Sequence, residues 1–368
     1  MNEELHGFIY NQVRRDLRSW SFDPVEFRDS LQKMETLMLS ENRHSKMLLY
    51  VNVNRHGTVT FSTAQFKNIT YDQISLIPRL PGCRSTRLVS MMKLIHMTSI
   101  LHRLPPVRFY VYTSDTYCYE HRELPLFVLA KPSNREGILF PDNSFHEEEG
   151  TWEHQLKLVH QHHCPLNQKI PVVFFKGLRS GKEARNNDPS VKQKWGTRCV
   201  FETYAENHKF LQVNIGGSHE PMHEWTKYKY LLNLPGAQPW SYRFKYLLAM
   251  RSVVIDIVVQ QQYDRNPMDY NERWDNIFDA FFRPDHDYVQ VIFRWIKGDS
   301  LHNEQEHARV LQKVHAIFAY FENNKAAYQK MVQSSTTRLK QISQEAVYHS
   351  MSVVINEYAQ AIRSHRRQ

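Results

Sequence analysis

Three places in this chain hold residue types and spacings suited to binding an anion or moving a proton. The first is the turn Pro235-Gly236-Ala237-Gln238-Pro239-Trp240, followed by Ser241, Tyr242, Arg243 and Lys245. The pattern predicts a strand over 228–234 before the turn and a helix over 241–251 after it. Small, constrained residues leading into a helix leave backbone N–H groups unpaired, and Ser241 suits the N-cap position. With the positive end of the helix dipole and the Arg243 guanidinium, these groups would cradle a diphosphate. The same pattern describes an ordinary capped helix with basic residues on its wet face.

The second place is Lys176-Gly177-Leu178-Arg179-Ser180-Gly181-Lys182-Glu183-Ala184-Arg185, which follows a predicted strand starting at Ile170. It fails the P-loop template, because Glu183 stands where Ser or Thr must hold magnesium and the glycine spacing is one short. Arg179 and Arg185 would clamp another face of a diphosphate, or simply make a basic surface loop. The third is Asp115, at the end of the apolar run Val107–Thr113. A carboxylate there can take a proton from an incoming hydroxyl as general base, although strand-end aspartates also form turns. His160, His162, His163 and Cys164 match no zinc spacing, and His219, His223 and Glu224 lack the HExxH order. There is no GxSxG elbow.

The elements that must position these residues alternate along the chain. Short helices are expected over 5–40, interrupted at Asp23-Pro24. Paired strands follow at 47–53 and 58–61 around Arg55-His56-Gly57, then a helix over 85–104 stopped by Pro105-Pro106. Further strands are predicted at 209–215 and 252–259. The last hundred residues carry helical apolar stripes, Val310, Val314, Ile317 and Phe321 among them. The β-turn-α-β pattern occurs in both halves, which predicts two doubly wound α/β domains.

Composition limits the function classes. With 368 residues, two domains are expected, and 41% hydrophobic residues allow real cores. A formal net charge of +9 favours an anionic partner such as a nucleotide, a nucleic acid or an anionic lipid surface. Cys83, Cys118, Cys164 and Cys199 form no CxxC pair, which excludes a disulfide-rich secreted scaffold. Neither a signal peptide nor a transmembrane stretch is read, so a cytoplasmic location is expected. Aromatic and basic residues do not interleave into an RNA-binding motif, and no nucleic-acid partner is expected.

The stretch KYKYLLNLPGAQPWSYRFKYLLAMRSVVI resembles the signature of the CAP10-like glycosyltransferases, glycosyltransferase family 90, which includes the protein O-glucosyl- and O-xylosyltransferases. Lys227, Tyr228, Lys229, Tyr230, Asn233, Gly236, Ser241, Arg243, Lys245, Leu247, Ser252 and Val254 fall in register with it. Lys176, Gly177, Arg179 and Arg185 resemble a second family segment, with one extra residue before Arg185. LPPVRFYVYTSD resembles the strand that ends in the family's catalytic aspartate, and Pro141-Asp142-Asn143-Ser144-Phe145 the segment after it. The likeness covers roughly residues 80–300.

The resemblance implies an α/β, GT-B-like fold of two facing Rossmann-like domains with a helical C-terminal segment. The expected boundaries are 1–165 for the acceptor side, 166–325 for the nucleotide sugar, and 326–368 for a helix returning to the first domain. It implies an inverting transferase that moves xylose or glucose from a UDP-sugar to a hydroxyl of a glycan or protein, without metal or other cofactor. Asp115 would be the base. Arg179, Arg185, Gln238, Pro239, Trp240, Ser241, Tyr242 and Arg243 would hold the donor, with Asp142, Gly177 and Lys245 behind them. Expected partners are the UDP-sugar, the acceptor, and at most a weak association with a membrane surface. A cytoplasmic member is of the kind expected from large DNA viruses, acting in the host cytoplasm. The chain departs from the pattern at Asn276, where the family has an acidic residue implied to contact ribose, at Asp287, where it has His, and at 259–272, which reads as an insertion. A catalytically silent binding or scaffold protein is the alternative.

Overall fold

The structure, a computed structural model, describes residues 2–20, 22–40, 45–76, 83–114, 125–132, 135–147, 150–177, 197–216, 220–235, 241–262, 274–296 and 299–365. In chain order the helices are α1 (Glu3–Leu17), α2 (Pro24–Leu39), α3 (Cys83–Leu101), α4 (Trp152–Gln161), α5 (Thr197–Ala205), α6 (Phe244–Ala249), α7 (Ser300–Asn323), α8 (Lys325–Leu339) and α9 (Gln344–His365). The strands of the two larger sheets are β1 (Leu48–Val53), β2 (Val59–Ser62), β3 (Val107–Tyr112), β4 (Phe127–Val128), β5 (Ile138–Leu139), β6 (Ile170–Gly177), β7 (Leu211–Ile215), β8 (Tyr228–Asn233), β9 (Val253–Gln262) and β10 (Val289–Ile296). The protein is α/β. Unit 1 is Met1–Glu153, Asp275–Phe281 and Gln341–Gln368, and unit 2 is His154–Trp274 and Phe282–Lys340.

Unit 1 carries a sheet in the order β2-β1-β3-β4-β5. Its beginning follows local rules. Asp23 caps α2, accepting from Val25 N at 2.9 Å and Glu26 N at 3.2 Å, with Pro24 in the first helical position. Asn54 Oδ1 accepts from His56 N and Thr58 N, and Gly57 takes φ +83°, closing the turn between β1 and β2. This short connection can only return the chain antiparallel. The doubly wound expectation holds only in part for this sheet: β1 runs antiparallel to both of its neighbours, β2 and β3, while β2, β3, β4 and β5 share one direction. From α9, Val347, Met351, Val354, Ile355 and Tyr358 are buried, and Tyr358 meets the rings of Phe22, Phe27 and Phe127.

Unit 2 is all parallel, in the order β7-β6-β8-β9-β10. Its strands are apolar runs because both faces are covered. Val173, Phe175, Tyr230, Leu232, Val253, Ile255, Val291 and Phe293 share one core with Phe201 of α5, Val310 and Val314 of α7, and Tyr328 and Met331 of α8. Counted within the unit, the strand order is 2-1-3-4-5, so the chain changes winding direction between β6 and β8. In such sheets ligands bind above the carboxyl ends of the strands that flank this switch.

Candidate functional site

The switch point falls on the two segments that sequence reading singled out, since β6 ends at Gly177 and β8 at Asn233. Phe175 stands near the end of β6, fully buried. Two guanidinium groups lie on its ring. Arg243 Cζ is 5.0 Å from the ring centroid and Arg198 Cζ is 5.2 Å from it, both within cation–π range. Arg243 also lies 5.6 Å from the Trp225 ring centroid. A Cβ on Gly177 would come within 2.9 Å of the Phe175 ring and 3.4 Å of Arg198 Nη1, so only glycine leaves room for this stack.

The two arginines are held differently. Arg198, in the first turn of α5, is buried and donates from Nε to Pro235 O at 3.0 Å, which ties α5 to the exit of β8. Arg243 is half-buried, and its guanidinium makes no hydrogen bond or ion pair among the described residues, with Nη1 shut away from solvent. Burial lowers its pKa from the ordinary arginine value, so the fold disfavours its charge. An unsatisfied, desolvated guanidinium gains most from an anion.

The turn that carries Arg243 departs from the sequence expectation. The helix is α6 alone, Phe244–Ala249, not 241–251, and its N-cap is Arg243 rather than Ser241. Ser241 is buried, and its carbonyl accepts from Phe244 N at 3.1 Å. So short a helix has little dipole to offer, and the groups here best suited to an anion are the guanidinium groups. Lys245 is 1% exposed and donates to Tyr242 O at 3.1 Å, so it positions the turn from behind. Tyr242 itself is 44% exposed. Asp115, Arg179, Arg185, Gln238, Pro239 and Trp240 lie outside the described residues. The described chain reaches Ser114, one residue before Asp115, with Thr113 fixed to Met47 O.

Other candidates have structural partners. Asp142 is buried in unit 1, accepts from Ser144 N at 3.0 Å and from Ser144 Oγ, and faces Asn276 Nδ2 at 3.4 Å. Asn276 also donates to Leu129 O at 2.8 Å and accepts from Phe278 N at 3.0 Å, so both its N–H groups are used inside unit 1. Asp287 accepts from Arg283 N at 2.8 Å and Ser334 Oγ at 2.6 Å, and lies 2.9 Å from Arg338 Nε as an ion pair. Lys176 pairs with Glu220 at 3.3 Å, which Lys227 also reaches at 3.1 Å. His162 packs on His223 at 4.2 Å between ring centroids, and its carbonyl accepts from Thr226 Oγ1. Among the described residues no three His, Cys, Asp or Glu side chains gather as a metal cluster. Sequence reading missed Arg198. Its signal is faint: an arginine in the first turn of the helix that returns the chain from β6 to β7.

The fold is α/β, and two guanidinium groups meet on the Phe175 ring at the switch point of its parallel sheet. Residues 86–367 match the model of Glycosyl transferase family 90, and the chain belongs to that family. No curated protein matches it. Membership makes sugar transfer its class of activity, with a sugar donor and an acceptor as substrates. Among the described residues no helix is long and apolar enough to cross a membrane.

Proposed function

We propose that the protein is an inverting glycosyltransferase that moves xylose or glucose from a UDP-sugar to a hydroxyl of a glycan or protein. The GT-B-like fold implied by the family is part of this proposal. The observation that carries it is the pair of arginines on Phe175, one of them without an anionic partner among the described residues. Asp115 takes the proton of the acceptor hydroxyl, the oxygen attacks the anomeric carbon, and the bond to the β-phosphate oxygen breaks. A single displacement inverts the anomeric centre. UDP departs with growing negative charge, and Arg243 and Arg198 meet that charge with preorganised donors. Two guanidinium groups supply positive charge of the kind a divalent cation supplies elsewhere, which supports a metal-independent reaction.

Calorimetry with UDP and single-turnover transfer assays test this reading. Arg243→Ala should weaken UDP binding about 10- to 150-fold, the equivalent of losing one charge-assisted hydrogen bond of about 1.5–3 kcal/mol. Asp115→Asn should lower the transfer rate by about 10²–10⁴ while UDP affinity stays within about twofold. Unchanged affinity in the first variant removes Arg243 from the phosphate site, and parental turnover in the second removes Asp115 as base. A protein that neither binds UDP nor hydrolyses UDP-sugars is a silent family member.

A further inference from the structure

Asn276, at the position implied to contact ribose, spends its amide inside unit 1. The parallel sheet of unit 2 offers another acceptor at the right level. In the ladder between β8 and β9, Asn233 is paired with Asp256. Asn233 is the last residue of β8, while β9 continues past that level to Gln262. Asp256 therefore stands one strand over from the point where β8 gives way to the turn of the candidate site. It also lies twenty residues beyond Gly236 in sequence. In the glycine-rich dinucleotide-binding β-turn-α-β unit a carboxylate about twenty residues past the turn meets the ribose, and Asp256 has that spacing although this turn lacks the glycine motif.

The side chains support the placement. Asn233 Nδ2 donates to Asp256 Oδ1 at 2.7 Å, which fixes both groups and turns the amide oxygen the other way. Asn233 is 5% exposed, and its Oδ1 has no hydrogen-bond partner among the described residues. A buried acceptor left unmatched costs free energy of order 1–3 kcal/mol, and folds keep few of them. The neighbouring groups are thus an aspartate carboxylate and an orphaned amide oxygen, both acceptors. Their complement is a pair of O–H donors. A vicinal diol is such a ligand, and the nucleotide already assigned to this edge carries one on its ribose.

We propose that Asp256, positioned by Asn233, recognises the ribose diol of the donor nucleotide. This rests on the reading of the switch point as a nucleotide site. The acceptors face hydroxyls, so the pair discriminates between nucleotides that carry the diol and those that lack it, without adding to the hold on the diphosphate.

The test compares UDP, 2′,3′-dideoxy-UDP and inorganic pyrophosphate by calorimetry on the full chain. The parent protein should prefer UDP over the dideoxy compound about 10- to 100-fold, as expected for hydrogen bonds to a charged acceptor. Asp256→Asn, nearly the same size, should shrink that ratio below about threefold and leave pyrophosphate affinity unchanged. Equal binding of the two nucleotides by the parent overturns the assignment while leaving the diphosphate site intact, and needs no variant to fold. A full ratio retained in Asp256→Asn also overturns it. If neither UDP nor pyrophosphate binds the parent, the nucleotide reading itself falls and the diol site falls with it.

Discussion

The two edges of the unit 2 sheet each hold a cation, and they hold it in opposite ways. At the amino edge, Lys169 precedes β6 and is buried among the entries to its neighbours. Its Nζ donates to Thr226 O, to Met250 O at 3.1 Å and to Ser252 Oγ at 2.9 Å, and Ser252 Oγ donates in turn to Tyr228 O at 2.7 Å. Burial brings the lysine pKa down to about 8. At the carboxyl edge, Arg243 stacks on two rings, and its guanidinium donates to no acceptor among the described residues. Lys169 has its acceptors built in, and stitches three strands together. Arg243 has none among the described residues, as the proposed ligand role requires. Saturation of hydrogen bonds, more than charge or burial, separates the two cations.

The contrast can be broken or sharpened by experiment. The largest effect is expected from Lys169→Met. It strands three buried oxygens, and at about 1–3 kcal/mol each the loss should be roughly 3–9 kcal/mol. Urea unfolding, with hydrogen exchange at the β6, β8 and β9 amides, would show it. A loss below about 1 kcal/mol would make Lys169 dispensable and dissolve the comparison.

His307, on α7, gives a pH handle in the same unit. It lies on the Phe293 ring at 4.5 Å between centroids, and burial lowers its pKa to about 4. The unfolded chain takes up the proton first as pH falls. Stability of unit 2 is therefore complete above the unfolded value near 6.5, and should drop by about 3 kcal/mol as pH falls to about 4. His307→Gln should flatten that slope in acid titrations of the folded state.

Arg243→Gln should have the smallest effect on stability. Removing an unsatisfied charge should leave the unfolding free energy within about 0.5 kcal/mol of the parent, or raise it. A loss of several kcal/mol would mean that Arg243 is structural after all.

Much of this site was legible because it rests on local patterns. The apolar run at Ile170, the alternation through Tyr228–Asn233 and the turn at Pro235 each announce themselves in a few residues. The family signature adds Arg243 in register. Other parts depend on contacts that no local pattern carries. Arg198 gains its place only because β6 and β8 are neighbours, a consequence of the strand order. Ser241 looks like an N-cap, yet the backbone turns through Tyr242 and Arg243 before α6 begins. The antiparallel pairing of β1 with β3 has no signature in either strand. Asp256 is an unremarked polar residue in an apolar strand until the ladder sets it beside Asn233.

The return of the chain to unit 1 through Gln341–Gln368 has a bearing on how the molecule is made. Proteins fold as they leave the ribosome, and a domain closes only when its last element has emerged. Unit 2 is complete once Lys340 has been added. Unit 1 starts first and finishes last, because α9 supplies Met351, Val354 and Tyr358 to its interior. Until then its nascent sheet stands with an open apolar face. A nascent chain cut short before α9 would leave a finished unit 2 joined to an unfinished unit 1, a natural target for chaperones and proteases.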